Sequence, residues 1–280
     1  VIHGYKTIFP IPLAQSCSWD IAGIEAGARI AAEECSSDGI SWTYSPMVDI
    51  ALDARWGRIA EGNGEDPYLG SLIAAALVRG YQGNLQGEHD ILACLKHYAL
   101  YGASEAGRDY NTVDMSHLRM FNQYFPPYKA AVEAGVESVM TSFNLVDGQH
   151  ATANPWLVDE VLRKTWGFKG FVVTDYASIQ EMTSHGFGDL KTNATRALKA
   201  GTDMDMCSNA FIRHGEEALR EGLITMKDIN QACRRVLEAK YKLGLFADPY
   251  KHCSMTEEQQ AQHIFTQEHR QAARNFTAET

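Results

Sequence analysis

An acid stands at the end of a short apolar run: Gly170 opens Phe171-Val172-Val173-Thr174, which leads into Asp175 and Tyr176. Four β-branched or aromatic residues in a row fit a fully buried parallel strand, with Asp175 at its C-terminal end. Other apolar runs end on polar residues in the same way. Residues 40–47 are followed by Asp49, Asp53 and Arg58, and residues 91–98 close on Lys96 and His97, with Arg108 in the loop beyond. Residues 136–142 carry Met140 and lead to Phe143 and Asn144. One carboxylate beside a Lys, a His and two Arg, in a cleft with aromatics, suits an anionic nucleophile holding a polyhydroxylated ligand. Basic groups within about 4–6 Å favour the ionised carboxylate that a nucleophile requires.

Each of these residues also has a plainer reading. Asp175 would serve as the N-cap of a helix starting near Ala177, with Ser178 as an alternative cap. Lys96 fits a Schiff-base amine as well as a hydroxyl donor, and a lone His97 is more often a satisfied core histidine. Arg58 could simply tie down its loop through Asp53 or Glu61. Met140 and Phe143 suit packing, and Tyr176 suits a solvent-edge aromatic or a platform beside the acid.

The elements that would position these groups alternate along the chain. Asp20 caps a helix over 21–34, stopped by Ser36-Ser37-Asp38-Gly39, before the strand 40–47. Pro67 starts a helix over 68–81, and strand 91–98 follows. A helix from Asp114 or Ser116 to about Ala134 must bend or restart at Pro126-Pro127, and strand 136–142 comes next. Asn154-Pro155 introduces a helix over 156–165, then come strand 171–174 and a helix near 177–183. A helix over 189–200 ends at Gly201, residues 202–206 make a short strand, and helices over 210–221 and 226–243 follow, the last stopped by Gly244.

Repeated strand–helix alternation predicts a parallel sheet wrapped by helices. No GxGxxG or Walker loop opens any helix, which speaks against a nucleotide-binding doubly wound fold. The fold class is therefore α/β, a TIM-like (β/α) barrel incomplete at its N-terminus, with the first strand expected before Val1. Residues 1–250 make up the barrel, and the polar stretch 251–280 reads as a linker.

The chain has 280 residues and a formal net charge of −10, with no cluster of Lys and Arg. That excludes nucleic acid and anionic membranes as natural partners. No apolar run is long enough to span a bilayer. The chain starts at Val1 with no visible secretory signal, so an upstream segment is expected and targeting is unreadable. Six scattered cysteines without CxxC or Cys/His spacing predict buried free thiols, leave room for one or two disulfides, and give no zinc site.

Four ordered segments carry a resemblance: MVDIALDARWGRIAEGNGEDPYL (47–69), LKHYALYGASEAGRDYNTVDMS (95–116), NPWLVDEVLRKTWGFKGFVVTDY (154–176) and AGTDMDM (200–206). Together they resemble glycoside hydrolase family 3, nearest the bacterial periplasmic β-glucosidase type, from IHGYKTIFP (2–10) to YKLGLFADPY (241–250). The resemblance implies a (β/α) barrel followed by an α/β sandwich domain, and a retaining exo-β-glycosidase releasing terminal β-D-glucosyl residues. It implies Asp175 as nucleophile, and Arg58, Lys96, His97 and Arg108 as hydroxyl-binding residues of the −1 subsite. Met140, Phe143 and Tyr176 would form its apolar wall. It also implies a general acid/base from the sandwich domain, a further pocket Asp before Val1, no cofactor, no metal, and a periplasmic or secreted location.

The partner is then a β-linked oligosaccharide or glucoside, with room for a homodimer of the longer protein. The single-domain N-acetylglucosaminidase branch is disfavoured, because Lys96-His97-Tyr98-Ala99-Leu100-Tyr101-Gly102 replaces its KH(F/I)PGHG loop. The rival readings are a β-xylosidase of the same family, an aldolase using Lys96, and a catalytically incomplete carbohydrate-binding fragment.

Overall fold

The computed structural model describes residues 6–280, so residues 2–5 of the first segment of resemblance lie outside it. The helices at the N-terminal side are α1 (Pro12–Cys17), α2 (Ile21–Ser37) and α3 (Pro67–Gln82). Helix α1 starts on Pro12 with no side-chain cap, whereas α2 and α3 start where side-chain oxygens satisfy the first free backbone N–H groups. Asp20 accepts from the Gly23 N–H, and Asp66 accepts from Tyr68 and Leu69 ahead of Pro67.

Strand β1 (Cys94–Tyr98) leads through the one-turn helix α4 (His117–Arg119), a π-helical turn over Met120–Tyr124 and α5 (Pro126–Glu133) to β2 (Ser138–Thr141). The long helix expected over this stretch is thus broken, and it restarts at Pro126, whose missing N–H cannot continue a ladder. A two-stranded hairpin of β3 (Leu145–Val146) and β4 (Gln149–His150) and a π-helix over Trp156–Thr165 precede β5 (Phe171–Val173). Then come α6 (Ser178–Ser184), α7 (Leu190–Ala200), α8 (Ala210–Arg220), α9 (Met226–Lys242), α10 (Glu257–His263) and α11 (Gln267–Thr277).

Strands β1, β2 and β5 form a parallel sheet in that order. It is extended by single bridges, Trp42 to Leu92 and Met47 to Lys96 on one side and Val173 to Met204 on the other. The expected strands 40–47 and 202–206 are therefore edge segments rather than full strands. Pro46 has no N–H to give to a ladder, although its carbonyl still accepts from Lys96. The peptide bonds Ser45–Pro46, Lys96–His97 and Tyr98–Ala99 are cis. Among the described residues the parallel segments make an open array and not a closed barrel, so the α/β, parallel-sheet part of the expectation holds.

Alternation along the strands divides the core. Leu95, Val139 and Val172 face the cluster that contains Leu157, Val161, Phe125 and Tyr128. Cys94, Met140, Phe171 and Val173 face the opposite way, onto Ala239 of α9 and Leu243 just after it. Each such buried aliphatic side chain contributes about 1.5–3 kcal/mol. By the same parity Lys96 and Asp175 belong to the side of Cys94 and Val173.

Residues 251–280, read from the sequence as a linker, pack against α2 and α3. Phe276 of α11 joins Ile24 and Ile73 in one apolar cluster. The Glu34 carboxylate accepts from Thr7 Oγ1, the Phe265 N–H and His269 Nδ1. The polar composition of this stretch satisfies buried groups of α2. All six cysteines are free, as expected, but only Cys35 and Cys94 are buried. Among the described residues no helix is long and apolar enough to cross a membrane.

Candidate active site

Asp175 follows β5 at its C-terminal end, and the backbone around it is held from the neighbouring segment. The Thr174 N–H donates to the Met204 carbonyl, the Met206 N–H to Thr174 Oγ1, and the Ala177 N–H to the Met206 carbonyl. Asp175 is not a helix cap: α6 begins after Ala177 in a left-handed conformation (φ 54°), with no side-chain cap. Oδ1 accepts from the Tyr176 N–H at 2.6 Å. Oδ2 is buried without a hydrogen bond, and His97 Nε2 lies 3.5 Å from it.

His97 is fully buried and is positioned by a residue the sequence reading noted only in passing. Asp49 Oδ2 accepts from both the His97 backbone N–H (3.1 Å) and Nδ1 (2.8 Å). A carboxylate can only accept, so Nδ1 carries the proton and Nε2 is the atom turned towards Asp175. Asp49 Oδ1 accepts from the Tyr128 hydroxyl, which also lies 2.8 Å from the His97 carbonyl. Burial, reinforced by the Asp49 carboxylate, holds the Tyr128 phenol well above the usual tyrosine range. His97 is thus a satisfied buried histidine and also a neighbour of Asp175; the two readings describe different nitrogens.

Arg58 makes a two-pronged ion pair with Glu61, Nε to Oε1 at 2.7 Å and Nη2 to Oε2 at 2.8 Å. The loop-tying reading of Arg58 is therefore correct, and Glu61 is the partner. Its guanidinium also lies 5.5 Å from the centre of the Tyr101 ring, and that ring is 5.1 Å from the His97 ring. The Arg58 hydrogen bonds pull Glu61 below the usual carboxylate range against the effect of burial, with Lys96 and His97 adding to the pull. Lys96 is half-buried, and no hydrogen bond or ion pair holds its ammonium among the described residues. Arg58, Lys96, His97 and Asp175 therefore share one region at the C-terminal ends of the strands.

The aromatic surroundings are broader than the sequence suggests. Phe143 packs with Met47, Trp56 and Tyr101, and its ring lies 4.7 Å from that of Tyr110. Burial raises the phenols of Tyr44 and Tyr110, and Asp175 adds to the rise in both, which puts them within its electrostatic reach. Tyr101 and Tyr110 lie in a loop with no periodic pattern, and Tyr44 lies in a segment read only as a strand, so nothing in the sequence marked them for the site. Tyr176 is 66% exposed. Met140 is core, packed with Cys94 and Val173 beneath the site. Arg108 is exposed in its loop, and no contact brings it to Asp175.

Residues 1–239 match the family model described as the Glycosyl hydrolase family 3 N terminal domain. The chain is 43% identical over 254 residues to a periplasmic beta-glucosidase of Salmonella typhimurium, covering 90% of this chain and 33% of that protein. It is 36% identical over 286 aligned positions to a beta-xylosidase of Formosa agariphila, covering 97% of this chain and 39% of that one. Among solved structures, the beta-glucosidase from Listeria innocua in complex with glucose superposes with a TM-score of 0.95 at 41% identity, covering 100% of this chain and 39% of that one. The chain thus spans between 33% and 39% of the length of these relatives.

Proposed function

The chain belongs to glycosyl hydrolase family 3, and from that premise we propose that it carries the nucleophile half of a retaining exo-β-glycosidase site, specific for terminal β-D-glucosyl residues. The observation that carries this reading is the free, buried Oδ2 of Asp175 beside His97 Nε2. An unpartnered carboxylate oxygen is costly in a folded interior, and such oxygens concentrate where a ligand supplies the missing contact. Asp175 attacks the anomeric carbon, the glycosidic C–O bond breaks, and a covalent glycosyl–enzyme forms; water then displaces Asp175 with retention.

The proton for the leaving oxygen comes from a second carboxyl group about 5–5.5 Å from Asp175. We assign that role to no Glu of these 280 residues. His97 Nε2, the Lys96 ammonium and the remaining guanidinium edge of Arg58 bind sugar hydroxyls, with Arg108 joining them only after its loop moves inward. Phe143 and the tyrosines wall the pocket, Met140 supports it from below, and Tyr176 forms a platform at its mouth. The parallel segments are the part of a TIM-like barrel that presents the site at its C-terminal face, the position such sites take in that fold. A periplasmic location is part of this reading and is supported by the Salmonella relative.

In the whole protein, Asp175→Ala and Asp175→Asn abolish turnover of an aryl β-glucoside, and a 2-fluoroglycoside inactivator adds its sugar mass to Asp175. Wild-type turnover in either variant ends the assignment. The β-xylosidase relative supports a second reading, in which xylosides are the better substrates. The ratio of kcat/KM on aryl glucoside and aryl xyloside decides between them.

A further inference from the structure

We propose that Glu33, His89 and His263 form a binding site for a divalent transition-metal ion, zinc in the first instance, that fastens the C-terminal helices to α2. The three residues come from α2, from the loop before β1 and from the end of α10, and one donor atom of each lies within 4.8 Å of the other two. The site is on the side of the fold that precedes β1, away from the strand ends that carry Lys96, His97 and Asp175. It is therefore independent of the glycosidase reading.

The hydrogen bonds around the cluster settle which atoms are free to bind. The Ser36 hydroxyl spends its proton on the Glu33 carbonyl at 3.0 Å. Its contact with His89 Nδ1 at 2.9 Å must then be donation from the ring. Nδ1 of His89 is protonated on that account, and Nε2 keeps its lone pair. This is the arrangement metal-ligating histidines show, with one nitrogen donating to a fixed partner and the other presented to the ion. Glu34 is already occupied by Thr7, Phe265 and His269, whereas Glu33 accepts through Oε1 only from His263 Nδ1, at 2.8 Å.

His269 Nε2 stands 3.6 Å from Glu33 Oε2 on the other side of that carboxylate. The His89 and His263 rings lie with centroids 4.6 Å apart and planes tilted by 48°.

Two imidazoles and a carboxylate match zinc, with a water completing a tetrahedron. Bonds of about 2.0–2.1 Å place tetrahedral donors roughly 3.3 Å apart. Closing from 4.8 Å asks for side-chain movements on the order of 1 Å, and all three residues are only half-buried. On binding, the Glu33–His263 hydrogen bond is replaced by two bonds to the ion, and His263 frees Nδ1 by carrying its proton on Nε2 instead. The ion would then join three elements far apart in sequence. It would stabilise the packed position of α10 and α11 by mass action.

The test uses the untagged whole protein, stripped with chelator and titrated with zinc chloride by calorimetry. Metal content after dialysis and the thermal midpoint are read alongside. One equivalent of zinc should bind and raise the midpoint, His89→Ala and Glu33→Gln should each weaken binding at least tenfold, and glycosidase turnover should stay unchanged. Ser36→Ala should weaken binding tenfold or more without removing a ligand. Circular dichroism establishes that the variants are folded, and Glu33→Gln changes no shape. No bound zinc, or zinc bound equally well by His89→Ala and Glu33→Gln, overturns the proposal; the latter result would point to the exposed cysteines.

Discussion

Removing the Asp49 carboxylate should damage the fold and the site by amounts that two substitutions can separate. In Asp49→Ala, the His97 N–H and Nδ1 lose their acceptor inside a region closed to water. The Tyr128 hydroxyl can turn its proton to the His97 carbonyl, 2.8 Å away, and so escapes. Two orphaned buried donors at about 1–3 kcal/mol each give a destabilisation of about 2–6 kcal/mol. That is a large share of the roughly 5–15 kcal/mol that holds a typical domain together.

Asp49→Asn behaves differently. With its amide oxygen in the Oδ2 position it accepts both His97 bonds, and its NH2 donates to Tyr128, so every donor keeps a partner. What is lost is the charge on the acceptor. Charge-assisted bonds contribute about 1.5–3 kcal/mol and neutral ones about 0.5–1.5. The difference of about 1–1.5 kcal/mol, felt at His97 during the reaction, corresponds to roughly a tenfold fall in kcat/KM.

Urea unfolding followed by tryptophan fluorescence measures the first effect, and aryl β-glucoside kinetics measures the second. An Ala variant within about 0.5 kcal/mol of wild type would show that Asp49 does not hold His97. An Asn variant with unchanged kcat/KM would show that His97 plays no part at the sugar.

Other perturbations probe the scaffold. Asp203→Ala removes the carboxylate shared by the Arg163 and Arg235 guanidiniums and the Val172 N–H, and leaves Arg163 only its carbonyl partners Gly170 and Gly201. It should cost about 3–5 kcal/mol in a denaturant titration, whereas a loss below 1 kcal/mol would mean that the cluster is not a structural anchor. Gly170→Ala places a Cβ 2.1 Å from the Glu137 carbonyl that pairs with Phe171. A loss of about 3 kcal/mol or more should follow, and a wild-type thermal midpoint would refute the close approach.

His150 is lowered to about 3 by burial, with His185 nearby adding to the effect. Below the ordinary value of 6.5 the unfolded chain takes up a proton that the folded one refuses. Stability therefore falls with decreasing pH by up to about 1.4 kcal/mol per unit, or about 2 kcal/mol at pH 5. His150→Gln should flatten that part of the profile, and an unchanged slope would show that the imidazole is not excluded from protonation.

The strand that leads to Asp175 was legible because its residues match a buried parallel strand and because Gly170 bounds the run. The helix starts at Asp20 and Pro67 and the stops at Gly201 and Gly244 follow from local chemistry and were read correctly. Residues 40–47 carry strand-like side chains, but Pro46 lowers their pairing to bridges. The π-helical turns have no signature of their own, because their side chains follow the same broad amphipathic pattern as an α-helix. Asp49 was visible as an acid after an apolar run. Its role depended on the fold bringing it to His97, and spacing along the chain cannot supply that. The same holds more strongly for Glu33, His89 and His263, which are separated by most of the chain. The packing of the stretch after residue 250 was not legible because its composition is polar, while the contacts depend on Phe276 and on histidines that meet acids of α2.

The hydrogen bonds on both flanks of Asp175 have a consequence for ligand encounter. The residue before it and the residue two after it are tied to the Met204–Met206 segment, so its main chain is fixed in the empty protein. A ligand reaching Asp175 meets an acid whose backbone already gave up its conformational entropy during folding. Amide hydrogens of Thr174 and Ala177 should accordingly exchange slowly without ligand, and adding a glycone mimic should change their rates little.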